Sequence, residues 1–357
     1  MSLVLRGAEE ATPAWLTETL RRDGALARGT VVAVRPEASR SLLISDVSRL
    51  EIEYSPDATP DAPRSLFLKI SRPVFQPEAS VDHSHKEFEF YTSIAREMPD
   101  APAPRCYDAA FSAETRRSHL LLEDLTDTHS QPPSPMPPSA GHCEQAVDCL
   151  ARVHAFWWEH PRLGAGVREL LTESDVGRVA RAASEKFARF ADFLGDRLSP
   201  RRRALYERVM ACFPAPWERL TAAKGLTLTH GDAHTWNFMY PREGGARRTV
   251  LIDWQLWHPH VGARDLAFMM TLYWYPERRA LLEEKLLRRY HERLSEWGVE
   301  SYGWDECLTD YRWSALRNLF VPVWQWAGGM PPTVWWSSLE RAALAFEDLR
   351  CGELLES

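Results

Sequence analysis

Leu226-Thr-Leu-Thr-His230-Gly-Asp232-Ala-His234-Thr-Trp-Asn237-Phe-Met-Tyr240, followed after a short turn by Thr249-Val-Leu-Ile-Asp253-Trp254, decides how the chain reads. Two apolar, β-branched runs predict strands. The polar loop between them carries Asp232 and Asn237, five positions apart, and Asp253 ends the second run. Two carboxylates and an amide on a strand–loop–strand unit suit a magnesium–nucleotide site. A hard divalent cation takes oxygen ligands and completes its shell with water and phosphate oxygens.

Upstream, the first third predicts strands. Thr30 to Val34 is β-branched, Ser48 to Tyr54 alternates polar and apolar residues, and Leu66 to Ile70 is a third strand that contains Lys69. Thr12-Pro13 caps an earlier helix. Arg35 to Asp46 predicts a Ser-rich loop without glycine. His83 to Ala95, which carries Glu87, has helical spacing, and Ala101-Pro-Ala-Pro104 ends it. Two further strands, Cys106 to Phe111 and Ser118 to Leu122, lead into Glu123-Asp124-Leu125.

Gln131 to Pro138, Gln-Pro-Pro-Ser-Pro-Met-Pro-Pro, excludes a regular helix and reads as a stiff linker or surface loop. Beyond it the pattern is helical. Ala146 to Trp157, Val176 to Leu194, a helix opened by Ser199-Pro200 and stopped at Pro214, Leu266 to Tyr273, and Pro276 to Trp297 closed by Gly298 all have helical signals. Tyr311 to Trp326 and Thr333 to Leu349 finish the chain. The predicted organisation is a nucleotide-binding lobe over 1–122, a hinge and Pro-rich linker over 123–139, and a catalytic and substrate-binding lobe over 140–357.

The 357 residues are 45% hydrophobic and 26% charged, the balance of an ordinary globular protein with a sizeable core. A net charge of −7 gives no basic footprint for nucleic acid or an anionic membrane. The six cysteines form no Cys-x-x-Cys pair and read as reduced. Met1 to Glu10 shows no secretory pattern, and no apolar run reaches the roughly 20 residues of a membrane helix. The expectation is a cytoplasmic monomer or homodimer with no nucleic-acid or membrane partner.

His230-Gly-Asp232-x-x-x-x-Asn237 with Ile252-Asp253-Trp254 resembles the signature of the aminoglycoside phosphotransferase and choline-kinase-like superfamily. Asp253-Trp254-Gln255 is similar to its ecdysteroid-kinase-like branch. Leu122-Glu-Asp-Leu125, Leu150-Ala-x-x-His154-Ala-x-Trp157 and Gly262-x-x-Asp265-Leu-Ala267 extend the resemblance over roughly residues 30 to 275. It implies an α+β, two-lobed protein-kinase-like fold, with a small strand-rich N-lobe and a larger helical C-lobe. The implied activity is ATP·Mg²⁺-dependent transfer of the γ-phosphate to a small-molecule hydroxyl.

The same resemblance implies roles. Asp232 is the catalytic residue that orients or deprotonates the acceptor hydroxyl. Asn237 and Asp253 hold Mg²⁺. Lys69 binds the α- and β-phosphates as a point charge, and Glu87, rather than Glu89, pairs with it. The backbone at Glu123 to Leu125 forms the adenine hinge. Asp265 and His230 support the catalytic loop, Asp265 through backbone N–H groups. The glycine-free segment Pro36 to Asp46 departs from a glycine-rich phosphate loop. Ser41, with Ser39 and Ser45, offers hydroxyls instead, and GTP stays open beside ATP.

Two rival readings use the same residues. His230, Asp232, His234 and Asp253, with His258 and His260 in a connecting loop, resemble the ligand set of a metal-dependent hydrolase. That reading leaves Lys69, Glu87 and Asn237 without a task. A non-catalytic pseudokinase binding module is the other, although base, metal ligands and strand lysine are all retained. For the acceptor, Trp304, Trp313, Trp324, Trp326, Trp335 and Trp336 beside Asp305, Glu306 and Asp310 suit a hydroxylated or glycosylated natural product such as an antibiotic, or else pack the lobe.

Overall fold

The fold was analysed in a computed structural model, which describes residues 4–42, 44–72, 83–133, 136–213, 215–221, 223–242 and 248–356, the side chains at 38 and 218 excepted. Pro214, Ser134 and Pro135 of the linker, and 243–247 of the turn before Thr249 lie outside the described residues. The chain divides into two compact units. One comprises 1–131 and 239–256; the other comprises 132–238 and 257–357. The first boundary lies within the Pro-rich run. The first unit then reclaims a short segment from the middle of the helical region.

The first unit is built on an antiparallel sheet of β1 (Val31–Ser41), β2 (Ser45–Tyr54), β3 (Ser65–Ser71), β4 (Cys106–Ser112) and β5 (Arg117–Glu123), in the order β1-β2-β3-β5-β4. β1 is longer than predicted. The expected loop from Arg35 is strand as far as Ser41, because β2 supplies a partner at Arg35↔Glu51, Pro36↔Leu50 and Ser41↔Asp46. β1 is an edge strand, which tolerates the missing N–H of Pro36, and irregularities between Val31/Ala33 and Glu37/Arg40 absorb the mismatch. Leu50, Leu66, Leu68 and Leu121 are buried on one face against Leu16 and Leu20 of α1 (Pro13–Asp23). Thr12 caps α1 by accepting a hydrogen bond from the Trp15 N–H.

The predicted His83–Ala95 helix is α2 (His83–Glu89), a π-helical turn over Phe90–Ile94, and a short α3 (Ala95–Glu97). The widened turn was not legible in the sequence; such turns recur at functional sites. A small sheet in the order β6-β8-β9 contains β6 (His129–Ser130), β8 (Phe238–Pro241) and β9 (Val250–Leu251).

The second unit is helical: α4 (Ala140–Phe156), α5 (Glu173–Leu194), α6 (Pro200–Ala211), α7 (Ala215–Thr221), α8 (Ala263–Tyr273), α9 (Pro276–Glu296), α10 (Trp304–Arg317), α11 (Val321–Ala327) and α12 (Pro332–Asp348). Thr172 and Asp175 form a capping box on α5, and the Ser199 hydroxyl accepts from the Arg202 N–H at the start of α6. Phe187, Phe190, Leu272, Leu319, Phe320 and Leu339 are among its core residues.

A two-stranded sheet pairs β7 (Thr227–Thr229) with β10 (His258–His260), with His258 opposite Thr229. His258-Pro-His260 is therefore a strand, not the connecting loop expected. The antiparallel sheet and the helical unit together are the α+β, protein-kinase-like arrangement expected from the sequence. Among the described residues no helix is long and apolar enough to cross a membrane.

Candidate active site

In the first unit, β3 and α2 bring Lys69 and Glu87 together. Lys69 Nζ donates to Glu87 Oε1 at 2.8 Å and to Asp253 Oδ1 at 2.7 Å. The side chains of Lys69 and Glu87 are 13% and 7% exposed, and Asp253 is 31% exposed. Burial disfavours the charge on Lys69, but Asp253 and Glu87 outweigh it and hold the ammonium above its ordinary pKa. Burial pushes Glu87 up, the charge of Asp253 adds to this, and Lys69 opposes it.

Asp253 reaches this position through its neighbour. The Trp254 indole stacks on Phe90 with ring centroids 3.9 Å apart and a 7° interplanar angle, and its N–H donates to the Leu251 carbonyl. The residue that follows Asp253 is thus clamped to the π-helical turn that follows Glu87. Asp253 itself adopts φ +66°, the left-handed region that Asp tolerates better than most residues. Its other oxygen accepts from Gln255 at 3.3 Å.

At the end of β5, the Glu123 N–H donates to the Arg105 carbonyl at 2.7 Å. The Leu125 carbonyl accepts from the N–H groups of Thr128 and His129, whereas the Leu125 N–H forms no hydrogen bond among the described residues. Backbone donors are seldom left unpaired away from water, and Leu125 is buried. Ser41 donates to Asp46 Oδ1 at 2.7 Å, and Ser39 and Ser48 share a hydrogen bond. Ser41 ends β1 and Ser45 opens β2, with the Leu42 N–H donating to the Ser45 carbonyl at 2.8 Å.

In the second unit, β7 delivers His230-Gly231-Asp232. Gly231, at φ +83°, turns the chain as few other residues could. Asp265, in the first turn of α8, is fully buried and fixes this turn. It accepts from the His230 N–H at 2.6 Å and the Gly231 N–H at 3.0 Å, and bonds His154 Nε2 at 3.3 Å. Burial would raise its pKa, but the His154 hydrogen bond and the positive field of His154, His230 and Arg264 win and hold it at about 2. His154 in turn meets the Tyr290 hydroxyl at 2.9 Å. Gly262 sits against both rings: a Cβ there would lie 2.1 Å from the Tyr290 hydroxyl oxygen and 2.9 Å from His154 Nδ1.

Beyond the turn, the backbone of Asp232 donates to His230 Nδ1 at 3.3 Å, and its carbonyl accepts from the His234 N–H and from Asn237 Nδ2 at 2.8 Å. The Asn237 amide is thereby oriented with its nitrogen committed to Asp232, which points to Oδ1 as its available donor. The Asp232 carboxylate is 20% exposed and lies 3.7 Å from His234 Nε2. The proposed site residues thus form two groups, Lys69–Glu87–Asp253 in one unit and His230–Asp232–Asn237–Asp265 in the other.

The histidine-rich hydrolase set finds no support in the geometry. Among the described residues no three His, Cys, Asp or Glu side chains are arranged to hold a metal ion. His230 and His260 are buried, and burial with the charges of Arg317 and Arg264 keeps His260 neutral.

For three of the C-terminal tryptophans the structure fits the second of the two readings, packing of the lobe. Trp335 belongs to the core of this unit, Trp313 and Trp326 pack against that core, and Asp310 and Glu306 are engaged with Arg219. A cavity of about 310 Å³ in this unit is lined instead by Trp236, Tyr273, Trp274, Tyr275, Arg278 and Arg341 among others. The consecutive aromatics Tyr273-Trp274-Tyr275 after an apolar helix were the signal available in the sequence.

No curated protein matches the sequence. Among solved structures, an aminoglycoside phosphotransferase candidate from Ralstonia eutropha aligns over 98% of this chain and 99% of its own, at 14% identity and a TM-score of 0.58. A microcompartment-associated aminopropanol kinase aligns over 89% and 91%, at 11% identity and 0.52. An amicoumacin kinase in complex with AMP-PNP, Ca²⁺ and Ami aligns over 87% of each chain, at 12% identity and 0.51. At these identities the likeness shows a shared fold. The sequence model of one family matches residues 43–300, well over half of the chain, and the protein belongs to the ecdysteroid kinase-like family.

Proposed function

We propose that the protein is an ATP·Mg²⁺-dependent O-phosphotransferase acting on a hydroxyl group of a small molecule. The observation that carries this reading is the Lys69 ammonium held between Glu87 and Asp253. A buried lysine shared by a helix carboxylate and a carboxylate beside it is suited to gripping nucleotide phosphates. The unbonded Leu125 N–H adds a donor for an adenine ring, and Ser41 adds a hydroxyl for a phosphate at the β1–β2 turn.

The donor set fits a hard cation: Asp253 supplies carboxylate oxygen and Asn237 an amide oxygen. When bound, magnesium would neutralise the phosphate charge that builds up during transfer. Asp232 accepts the proton of the acceptor hydroxyl as that oxygen bonds to the γ-phosphorus; the bond from that phosphorus to the β,γ-bridging oxygen breaks and ADP leaves. Asp265 and His230 keep the turn that presents Asp232 in place.

The test is a panel of hydroxylated antibiotics, sugars, nucleosides and amino alcohols incubated with ATP or GTP and Mg²⁺, read by mass spectrometry. Gain of one phosphate by an acceptor supports the reading. Tight nucleotide binding with no transfer to any acceptor would favour the binding-module alternative.

A further inference from the structure

The cavity in the helical unit differs in charge from what an amine-bearing acceptor would need. Two guanidinium groups, Arg278 and Arg341, line it, and no carboxylate does among the described residues. Neither arginine has a carboxylate partner among the described residues. Arg341 reaches the Leu272 carbonyl at 3.3 Å and lies 4.6 Å from the Tyr275 ring centroid. Arg278 contacts the Pro138 carbonyl and lies 5.5 Å from the Trp274 ring centroid. Their charge is therefore offset by ring faces and backbone dipoles, not by anions.

The remaining wall is aromatic. Trp236 and Tyr273 meet edge to face at 6.0 Å, and the Trp274 indole N–H is buried without a hydrogen-bond partner among the described residues. The cavity volume of about 310 Å³ lies at the lower end of the range for small-molecule sites. His234 connects this wall to Asp232, with its ring 5.2 Å from the Tyr273 ring and its Nε2 3.7 Å from the Asp232 carboxylate.

We propose that this cavity is the acceptor pocket and that it selects a flat-ringed hydroxylated compound bearing a carboxylate, against one bearing a cationic amine. The rings of Trp236 and Tyr273 take the flat face, and Arg341 and Arg278 take the carboxylate, for which a guanidinium fork is suited. An ammonium group would face two like charges. The proposal rests on the reading of Asp232 as the base.

Calorimetric titration of the full chain with 6-hydroxy-2-naphthoate, its carboxamide and 6-(aminomethyl)-2-naphthol tests it. The carboxylate is expected to bind at least tenfold tighter than the carboxamide, and the amine more weakly than either. Arg341→Met should weaken the carboxylate at least tenfold and the carboxamide less than threefold, with Arg341→Lys intermediate. An amine that binds as tightly as the carboxylate, an Arg341→Met variant with unchanged ranking, or no binding of any probe at millimolar concentration overturns the proposal. Asp232→Asn should retain carboxylate binding. If the charge ranking holds but ATP transfers no phosphate to any acceptor, the phosphotransferase reading fails while the pocket's selectivity stands. Transfer to an acceptor with the ranking reversed fails the pocket alone.

Discussion

Lys69 Nζ lies 2.7 Å from Asp253 Oδ1, across 184 positions of sequence, and shares its charge with Glu87. One cation thus compensates two carboxylates. Lys69→Met leaves both without it, and loss of one partner from a buried ion pair costs about 3 kcal/mol. Urea unfolding should show a loss of that order, reduced to less than half when Glu87→Gln is added. A single variant as stable as the wild type would show that the triad contributes nothing to folding.

Asp265 makes stability dependent on acid. Its folded pKa of about 2 lies below the ordinary 3.8. Its contribution is therefore fully present above about pH 4 and is lost as pH falls through about 2, with a size of about 2 kcal/mol. The stability gap between wild type and Asp265→Asn should be constant from pH 5 to 7 and shrink below pH 4. A gap that stays constant at low pH would mean that the carboxylate is not held ionised by the fold.

Gly262 is required by space, its φ of −62° being ordinary. Gly262→Ala drives a methyl into the Tyr290 hydroxyl and His154, and overpacking of this kind costs about 1–3 kcal/mol. Tyr290→Phe removes the nearest atom, so the double variant should recover part of the loss in thermal melts. A strictly additive double-mutant cycle would place the strain elsewhere.

Asp232 and Asp253 should separate chemistry from cation binding. Asp232→Ala is expected to lower kcat by about 10² to 10⁴ while nucleotide affinity changes less than threefold. Asp253→Ala should abolish Mg²⁺-dependent activity and flatten the Mg²⁺ titration of nucleotide binding. Near wild-type turnover by the first variant, or unchanged metal dependence in the second, would reassign those residues.

Ser41 probes the glycine-free turn. Its proton goes to Asp46 at 2.7 Å, so a phosphate must compete with that carboxylate. Ser41→Ala should raise KM for ATP by about two- to fivefold with kcat unchanged. A fall in kcat without a change in KM would move Ser41 out of nucleotide binding.

Much of this molecule was legible in one dimension. Strand alternation located β2, β3 and β5, and caps at Thr12 and Ser199 marked helix starts, because these signals are local. The spacing of Asp232, Asn237 and Asp253 singled out candidate residues for the same reason. β1 was read too short because only pairing with β2 makes its polar second half a strand.

The sequence by itself determined the family, the succession of sheet and helices, and the set of chemistry-bearing side chains. Tertiary structure alone decided that the stretch from Leu226 to Trp254 is not one strand–loop–strand unit. Its first strand pairs with His258–His260 in the helical unit, while the segment from Met239 joins the sheet-bearing unit. It also decided that Asp253 meets Lys69, and that Arg278 and Arg341 line one cavity with Trp236. Hydrophobic period and capping act over a few residues, whereas these contacts join positions tens to hundreds of residues apart, which only the packed cores bring together.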